Sequence, residues 1–168
     1  MDFQKELIAE YDREVKSTRK MLEAIPAEID WSYKPHPKSM AVGRLAGHVA
    51  ETAGDWGLST LTTDKLEFAA DHKFEPFIPA SREALLERFD RDVAKVKAAL
   101  GNFDPAKWDD NWKFVFGGKA WIDGPKYEIW RTWVLNHLIH HRAQLGSTLR
   151  QMGAPIPGMY GPSADEGM

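Results

Sequence analysis

At 168 residues the chain suits one domain with one sizeable core, and a composition of 43% apolar and 28% charged residues excludes a disordered or fibrous protein. A formal net charge of −3, with basic residues scattered rather than clustered, excludes a surface built to track a phosphate backbone, so nucleic acid is not an expected ligand. The absence of cysteine removes disulfides, thiolate zinc sites, iron–sulfur clusters and a Cys nucleophile together, leaving nitrogen and oxygen to hold any metal.

Phe3, Leu7, Ile8, Tyr11, Val15, Met21, Leu22 and Ile25 recur near helical spacing and predict a first amphipathic helix over 3–25, stopped at Pro26. The opening Asp2-Phe3-Gln4-Lys5-Glu6-Leu7 lacks the basic and apolar regions of a secretory leader, and no run approaches about 18 apolar residues. A cytoplasmic protein without membrane contact is therefore expected. Pro26, Pro35 and Pro37 forbid regular helix over 26–38, after which Ser39 offers an N-cap for a second helix running to about Thr60, with His48 in its middle. A polar, aromatic connection at 61–80 leads into a third helix over 82–100, carried by Leu85, Leu86, Phe89, Val93, Val96 and Leu100 and stopped by Gly101.

Residues 101–125 read as irregular, with a short helical turn after Pro105 and a small hairpin where Trp112–Phe116 and Lys119–Ile122 flank Gly117-Gly118. Pro125 opens a fourth helix over roughly 126–152, closed by Gly153 and Pro155. Without a repeat, a low-complexity segment or a second domain, residues 1–168 read as a single all-α four-helix-bundle domain with irregular loops. Seven tryptophans, Trp31, Trp56, Trp108, Trp112, Trp121, Trp130 and Trp133, suit a core, pocket walls or subunit contacts.

The chemistry concentrates in Asn136-His137-Leu138-Ile139-His140-His141-Arg142-Ala143-Gln144-Leu145, which holds three of the six histidines. Counted along the helical period from His137, His141 falls on the side of the fourth helix that also carries Trp130, Val134 and Leu145. His137 and His141 thus share the apolar stripe, whereas His140 is turned to its edge. His48 lies on the flank of the second helix's stripe of Val42, Leu45, Val49, Ala53 and Trp56, within reach of a neighbouring helix. Neutral imidazole suits zinc, nickel, iron or copper, and three protein ligands leave a position open for water or substrate. The competing reading of each histidine is a hydrogen-bonded core residue. His36 and His72, in polar irregular segments, are expected at the surface.

Other metal sites fail on the same residues. No Glu or Asp stands three residues before a histidine, as a di-iron bundle requires, and His-Glu-x-x-His is absent. Glu51 and Asp55 follow His48 by one and two turns and are candidates for an outer acceptor or general base, or for a solvated helix face.

Read together, Leu45-Ala46-Gly47-His48-Val49, the His-x-x-His-His-Arg-x-Gln-Leu pattern of the fourth helix and the tail Gly153-Ala154-Pro155-Ile156-Pro157-Gly158-Met159-Tyr160-Gly161-Pro162 resemble the DinB/YfiT-like family of metal-dependent enzymes. The resemblance covers most of the chain. It implies an up-down-down-up four-helix bundle, often a homodimer, with a divalent metal, commonly zinc or nickel, on the residues matching His48, His137 and His141. Members with assigned activities include thiol-dependent S-transferases and a thiol-dependent isomerase. The one departure, Ala143 where glycine is frequent, touches only close helix packing.

Two functions compete. In the first, the three histidines hold a metal that activates water or a low-molecular-weight thiol against a small-molecule substrate, a hydrolase or thiol transferase, with Arg142 and Gln144 orienting ligands or substrate and Tyr160 folding over the site mouth. In the second, a non-catalytic bundle binds a metal or small ligand beside Trp121, Trp130 and Trp133. A fourth protein ligand such as Glu51 would close the site and favour the second.

Overall fold

A computed structural model of the chain describes residues 2–167. Four helical rods carry most of them. The first, α1 (Phe3–Glu23), starts at Asp2, whose carboxylate accepts from the Lys5 N–H. The second, α2, runs through Val42–Glu51, a wide π-helical turn at Thr52–Trp56 and Gly57–Thr62. The third, α3 (Arg82–Gly101), is capped by Ser81, which accepts from the Ala84 N–H. The fourth, α4, comprises Lys126–Ile129, a second wide turn at Trp130–Asn136 and His137–Gln151.

Ser39 does not cap α2. Ala41 occupies the N-cap position in an extended conformation, and the Val42 and Gly43 N–H groups donate to the carbonyls of Tyr33 and Trp31. The Pro-punctuated loop folds back to satisfy the helix's free donors with backbone, so no capping side chain is required.

The all-α expectation is corrected by a small three-stranded sheet of order β1-β2-β3, formed by Lys65–Phe68, Asn111–Phe116 and Lys119–Pro125. The hairpin of β2 and β3 turns at Gly117 and Gly118, both at positive φ, as a tight two-residue hairpin turn requires. Sequence reading placed β1 in the connection at 61–80. Its four residues alternate too briefly to stand out, and it exists by parallel pairing with β2, Leu66 opposite Phe114 and Phe68 opposite Phe116. A short 3-10 turn at Pro105–Asp109 precedes the hairpin.

The core lies between the four helices. Leu7, Tyr11, Val15 and Leu22 of α1 meet Leu85, Phe89, Val96 and Leu100 of α3, Val49 and Ala53 of α2, and Trp130, Leu138, Leu145 and Leu149 of α4. Burying each large apolar side chain contributes about 1.5–3 kcal/mol. Each wide turn puts one face into this core, and at the first, side chains supply hydrogen bonds that its altered spacing demands. The buried Tyr11 hydroxyl donates to the Ala53 carbonyl at 2.7 Å, Thr52 Oγ1 to the His48 carbonyl, and Thr60 Oγ1 to that of Trp56.

Two features fasten the outer segments. Arg142, 2% exposed, donates to Glu14 Oε2 at 2.8 Å, the Glu14 carbonyl and Thr18 Oγ1, and also to the Tyr160 hydroxyl, which itself donates to Glu14. This network joins α1, α4 and the tail. The segment before α3 crosses α2 at Gly47, where a Cβ would stand 1.9 Å from the Phe77 carbonyl oxygen. Only glycine permits that approach.

Two outcomes follow for urea denaturation. Gly47→Ala gains about 1 kcal/mol of helix propensity but forces backbone apart, so a net loss of about 1–3 kcal/mol is expected. Arg142→Met strands the Glu14 carboxylate in the interior and is expected to cost about 3–5 kcal/mol, whereas Tyr160→Phe, which removes only a hydroxyl, is expected to cost about 1 kcal/mol.

Candidate metal centre

His48 projects from the regular first part of α2, and His137 and His141 from the regular last part of α4, into the seam between these helices. One ring nitrogen from each lies within 4.8 Å of the others, a group of three that could hold a metal ion. His48 Nε2 is 3.4 Å from His137 Nε2, and the ring centroids are 5.2 Å (His48–His137), 4.4 Å (His48–His141) and 4.6 Å (His137–His141) apart. His48 and His141 are buried and His137 half-buried.

The outer side of each ring is also occupied. Glu51 Oε2 stands 3.4 Å from His48 Nδ1 and accepts its proton when Nε2 serves as a ligand; Arg44 Nη2 approaches the same nitrogen at 3.3 Å. Glu51 is itself held by Arg44 Nη1 at 2.9 Å and by the Phe77 N–H at 2.6 Å. His141 Nδ1 donates to Gln144 Oε1 at 2.8 Å, and the Trp133 carbonyl, one turn before His137, acts to raise the pKa of that ring. Such outer acceptors fix ring orientation and turn a lone pair towards the shared centre. The donor set therefore fits a borderline divalent cation: three imidazole nitrogens, no thiolate, and no carboxylate within the cluster.

Electrostatics point the same way. Burial, reinforced by the neighbouring His141 and His48 rings, lowers the His137 pKa to about 4. Burial also brings His141 to about 4, against the opposing hydrogen bond that its ring donates to Gln144. Both are neutral at pH 7, the form a metal takes. Burial acts to raise the Glu51 carboxyl, but His48, the Phe77 N–H and Arg44 together hold it below the usual range, so it stays an anionic acceptor.

Trp56 packs on both His48 and His137, with ring centroids 5.3 Å and 4.9 Å away, and meets Trp133 at 4.9 Å. Beyond these two rings opens a pocket of about 620 Å³ between α2, α4 and the sheet, walled by Leu66, Phe68, Phe74, Trp112 and Phe114 and bordered by Arg44, Glu51, Asp55, Ser59, Glu75 and Pro76. A smaller, more polar pocket of about 430 Å³ reaches His141 and Gln144 past Lys38, Ser39, Ser147 and Gln151.

His140 is exposed and lies outside the cluster, 4.9 Å from the His141 ring, and His36 and His72 are exposed. Of the tryptophans expected beside the histidines, only Trp133 comes near them, packed on Trp56 rather than on the imidazoles. Trp130 is fully buried against Tyr11 and Trp108, and Trp121 lies 63% exposed on β3 beneath Lys119. The physical reason is the wide turn at Trp130–Asn136: counting the helical period from His137 back to Trp130 assumes regular α-helix that the chain does not keep. Arg142 and Tyr160 engage Glu14 rather than the histidines, and Ala143 is exposed, in no close helix contact. Asp55 pairs with Arg88 at the pocket's edge. Arg44 and the Phe77 N–H were missed as supports. Arg44, one turn before His48 and two before Glu51, was visible as a charge on the same face; the Phe77 contact carries no local signal.

Among the described residues no helix is long and apolar enough to cross a membrane. A sequence model of the DinB family matches residues 1–167. The chain is 26% identical over 159 residues to the uncharacterized protein YrdA of Bacillus subtilis (strain 168), covering 93% of this chain and 87% of that protein. It is similar in structure to a DinB-like protein from Bacillus cereus ATCC 10987, with a TM-score of 0.70 and 26% identity over 92% of this chain and 95% of that one. With a family match along the whole chain, and a relative of known structure sharing its fold, this protein belongs to the DinB family.

Proposed function

We propose that the protein is a metal-dependent enzyme in which His48, His137 and His141 hold one divalent ion, zinc or nickel. The observation that carries this reading is the convergence of three neutral imidazole nitrogens within 4.8 Å, while Glu51, the residue that would close the site in a non-catalytic protein, stands behind His48 and is engaged by Arg44 and the Phe77 N–H. When bound, the ion supplies a Lewis acid that activates water or a low-molecular-weight thiol against a small electrophile, the chemistry of a hydrolase or thiol S-transferase.

The surrounding residues serve that purpose without rearrangement. Glu51 takes the outer proton of His48 and Gln144 that of His141. Trp56 covers His48 and His137 on the pocket side, backed by Trp133, and excludes water there. The reading treats the chain as one domain, an up-down-down-up bundle that forms a cytoplasmic homodimer; these elements rest on the sequence patterns and family resemblance given above.

Elemental analysis of protein purified without a His-tag is expected to find about one divalent metal ion per chain. His48→Ala, His137→Ala and His141→Ala are each expected to abolish retention, and His140→Ala to leave it unchanged; metal-free wild type that takes up no zinc or nickel would sink the reading. A pH series on metal-free protein tests the buried rings independently. Both His137 and His141 bind protons less readily folded than unfolded, so their contribution is level above the unfolded value of 6.5 and stability falls as the pH drops from there towards about 4. The urea midpoint is expected to decline across that window, and an unchanged midpoint from pH 7 to pH 5 would contradict their burial in neutral form.

A further inference from the structure

We propose that the aromatic pocket beside Trp56 and Trp133 binds a ring-bearing organic molecule that is neutral or cationic, and discriminates against anions of the same shape. Trp56 stands between this pocket and His48 and His137, so as a binding site the pocket stands without the metal reading.

The ring arrangement defines the shape of the ligand. Trp133 is a hub: Trp56 lies 4.9 Å away inclined at 54°, Phe114 5.2 Å away at 58° and Trp112 6.0 Å away at 74°. Rings tilted against one another present both faces and edges to the space they enclose, the arrangement that receives another flat ring or a cation. Phe68 and Phe74 continue the wall outwards with centroids 4.9 Å apart, and Phe74, 53% exposed, stands at the mouth. A volume of about 620 Å³ falls within the range of small-molecule sites.

The walls are held apart, which keeps such a space open. Trp112 Nε1 donates to Thr63 Oγ1 at 3.2 Å, and the buried Lys126 ammonium donates to the Thr63 carbonyl at 2.6 Å, fixing the sheet and the start of α4 to the end of α2. On the other side the Phe77 N–H bond to Glu51 positions the segment carrying Phe74.

Charge sets the sign of the ligand. The pocket is bordered by the carboxylates of Glu51, Asp55 and Glu75 and by one basic group, Arg44. That guanidinium is already bonded to Glu51 at 2.9 Å. Asp55 is likewise paired with Arg88, so an anion entering would lose its hydration, meet Glu75 at the mouth, and find Arg44 engaged. A neutral ring escapes that penalty, and a cation gains both the aromatic faces and the Glu75 carboxylate.

The test uses three probes of one shape, 2-naphthylmethanol, (2-naphthylmethyl)trimethylammonium and 2-naphthoate, titrated calorimetrically into full-length metal-free protein. The first two are expected to bind at least about tenfold more tightly than naphthoate. Phe74→Ala, at the exposed mouth, is expected to weaken both by about threefold or more, and Glu75→Lys to narrow the margin over naphthoate. Binding of none of the three, equal affinity for all, a preference for naphthoate, or affinities indifferent to both substitutions would overturn the proposal. The two readings fail separately: protein that binds no metal yet sorts the probes by charge removes only the metal reading, and metal-binding protein that does not sort them removes only this one.

Discussion

Three imidazoles packed against one another in a bundle seam leave six ring nitrogens to satisfy, and that requirement organises this molecule. The inner nitrogens converge within 4.8 Å, too close for all to carry protons comfortably in a buried site. The outer ones need acceptors, and each faces a group about one turn away on its own helix. Gln144 is one helical turn from His141 and Glu51 one turn from His48, and the Trp133 carbonyl belongs to the wide turn just before His137. Glu51 in turn needs the Arg44 guanidinium and the N–H of Phe77, a residue brought in by a separate segment across Gly47. Glycine at 47, far from any ligand role of its own, is thus part of how His48 is aimed.

The two wide turns extend this logic from the histidines to the pocket. The first begins one turn after His48 and the second ends just before His137, and they carry the paired rings of Trp56, which packs on the cluster, and Trp133, which packs on Trp56. A π-helical turn accommodates one residue more per turn than the regular helix can, so it redirects side chains beyond it without ending the rod. The cost in backbone hydrogen bonding is met at the first turn by the hydroxyls of Tyr11, Thr52 and Thr60 and at the second by that of Thr132. The result is a helix pair whose histidines keep regular spacing while its aromatic rings swing towards the small sheet. The same α4 serves the opposite flank, where Arg142 locks α1 and the tail through Glu14 and Tyr160. One stretch of helix therefore carries both the candidate site and the polar latch that keeps the bundle closed.

The helices were legible because their apolar residues repeat at the helical period and their ends carry Pro26, Ser81, Gly101, Pro125 and Gly153, signals confined to a few neighbouring positions. The spacing of His137 and His141, and the exclusion of His140 from their face, were legible for the same reason: all three lie in uninterrupted α-helix. The Gly117-Gly118 turn announced its hairpin, but Lys65–Phe68 did not announce a strand, since its pairing partner stands nearly fifty residues away. Local order, set by period and by the few residues that start, stop or turn a chain, can be read along one dimension. The wide turns, the Glu51–Phe77 bond across Gly47, the seating of Trp130 in the core and Trp133 at the pocket, and the enclosure of that pocket by β1 and β2 depend on surfaces meeting from distant parts of the chain, and burial and close packing in three dimensions decided them.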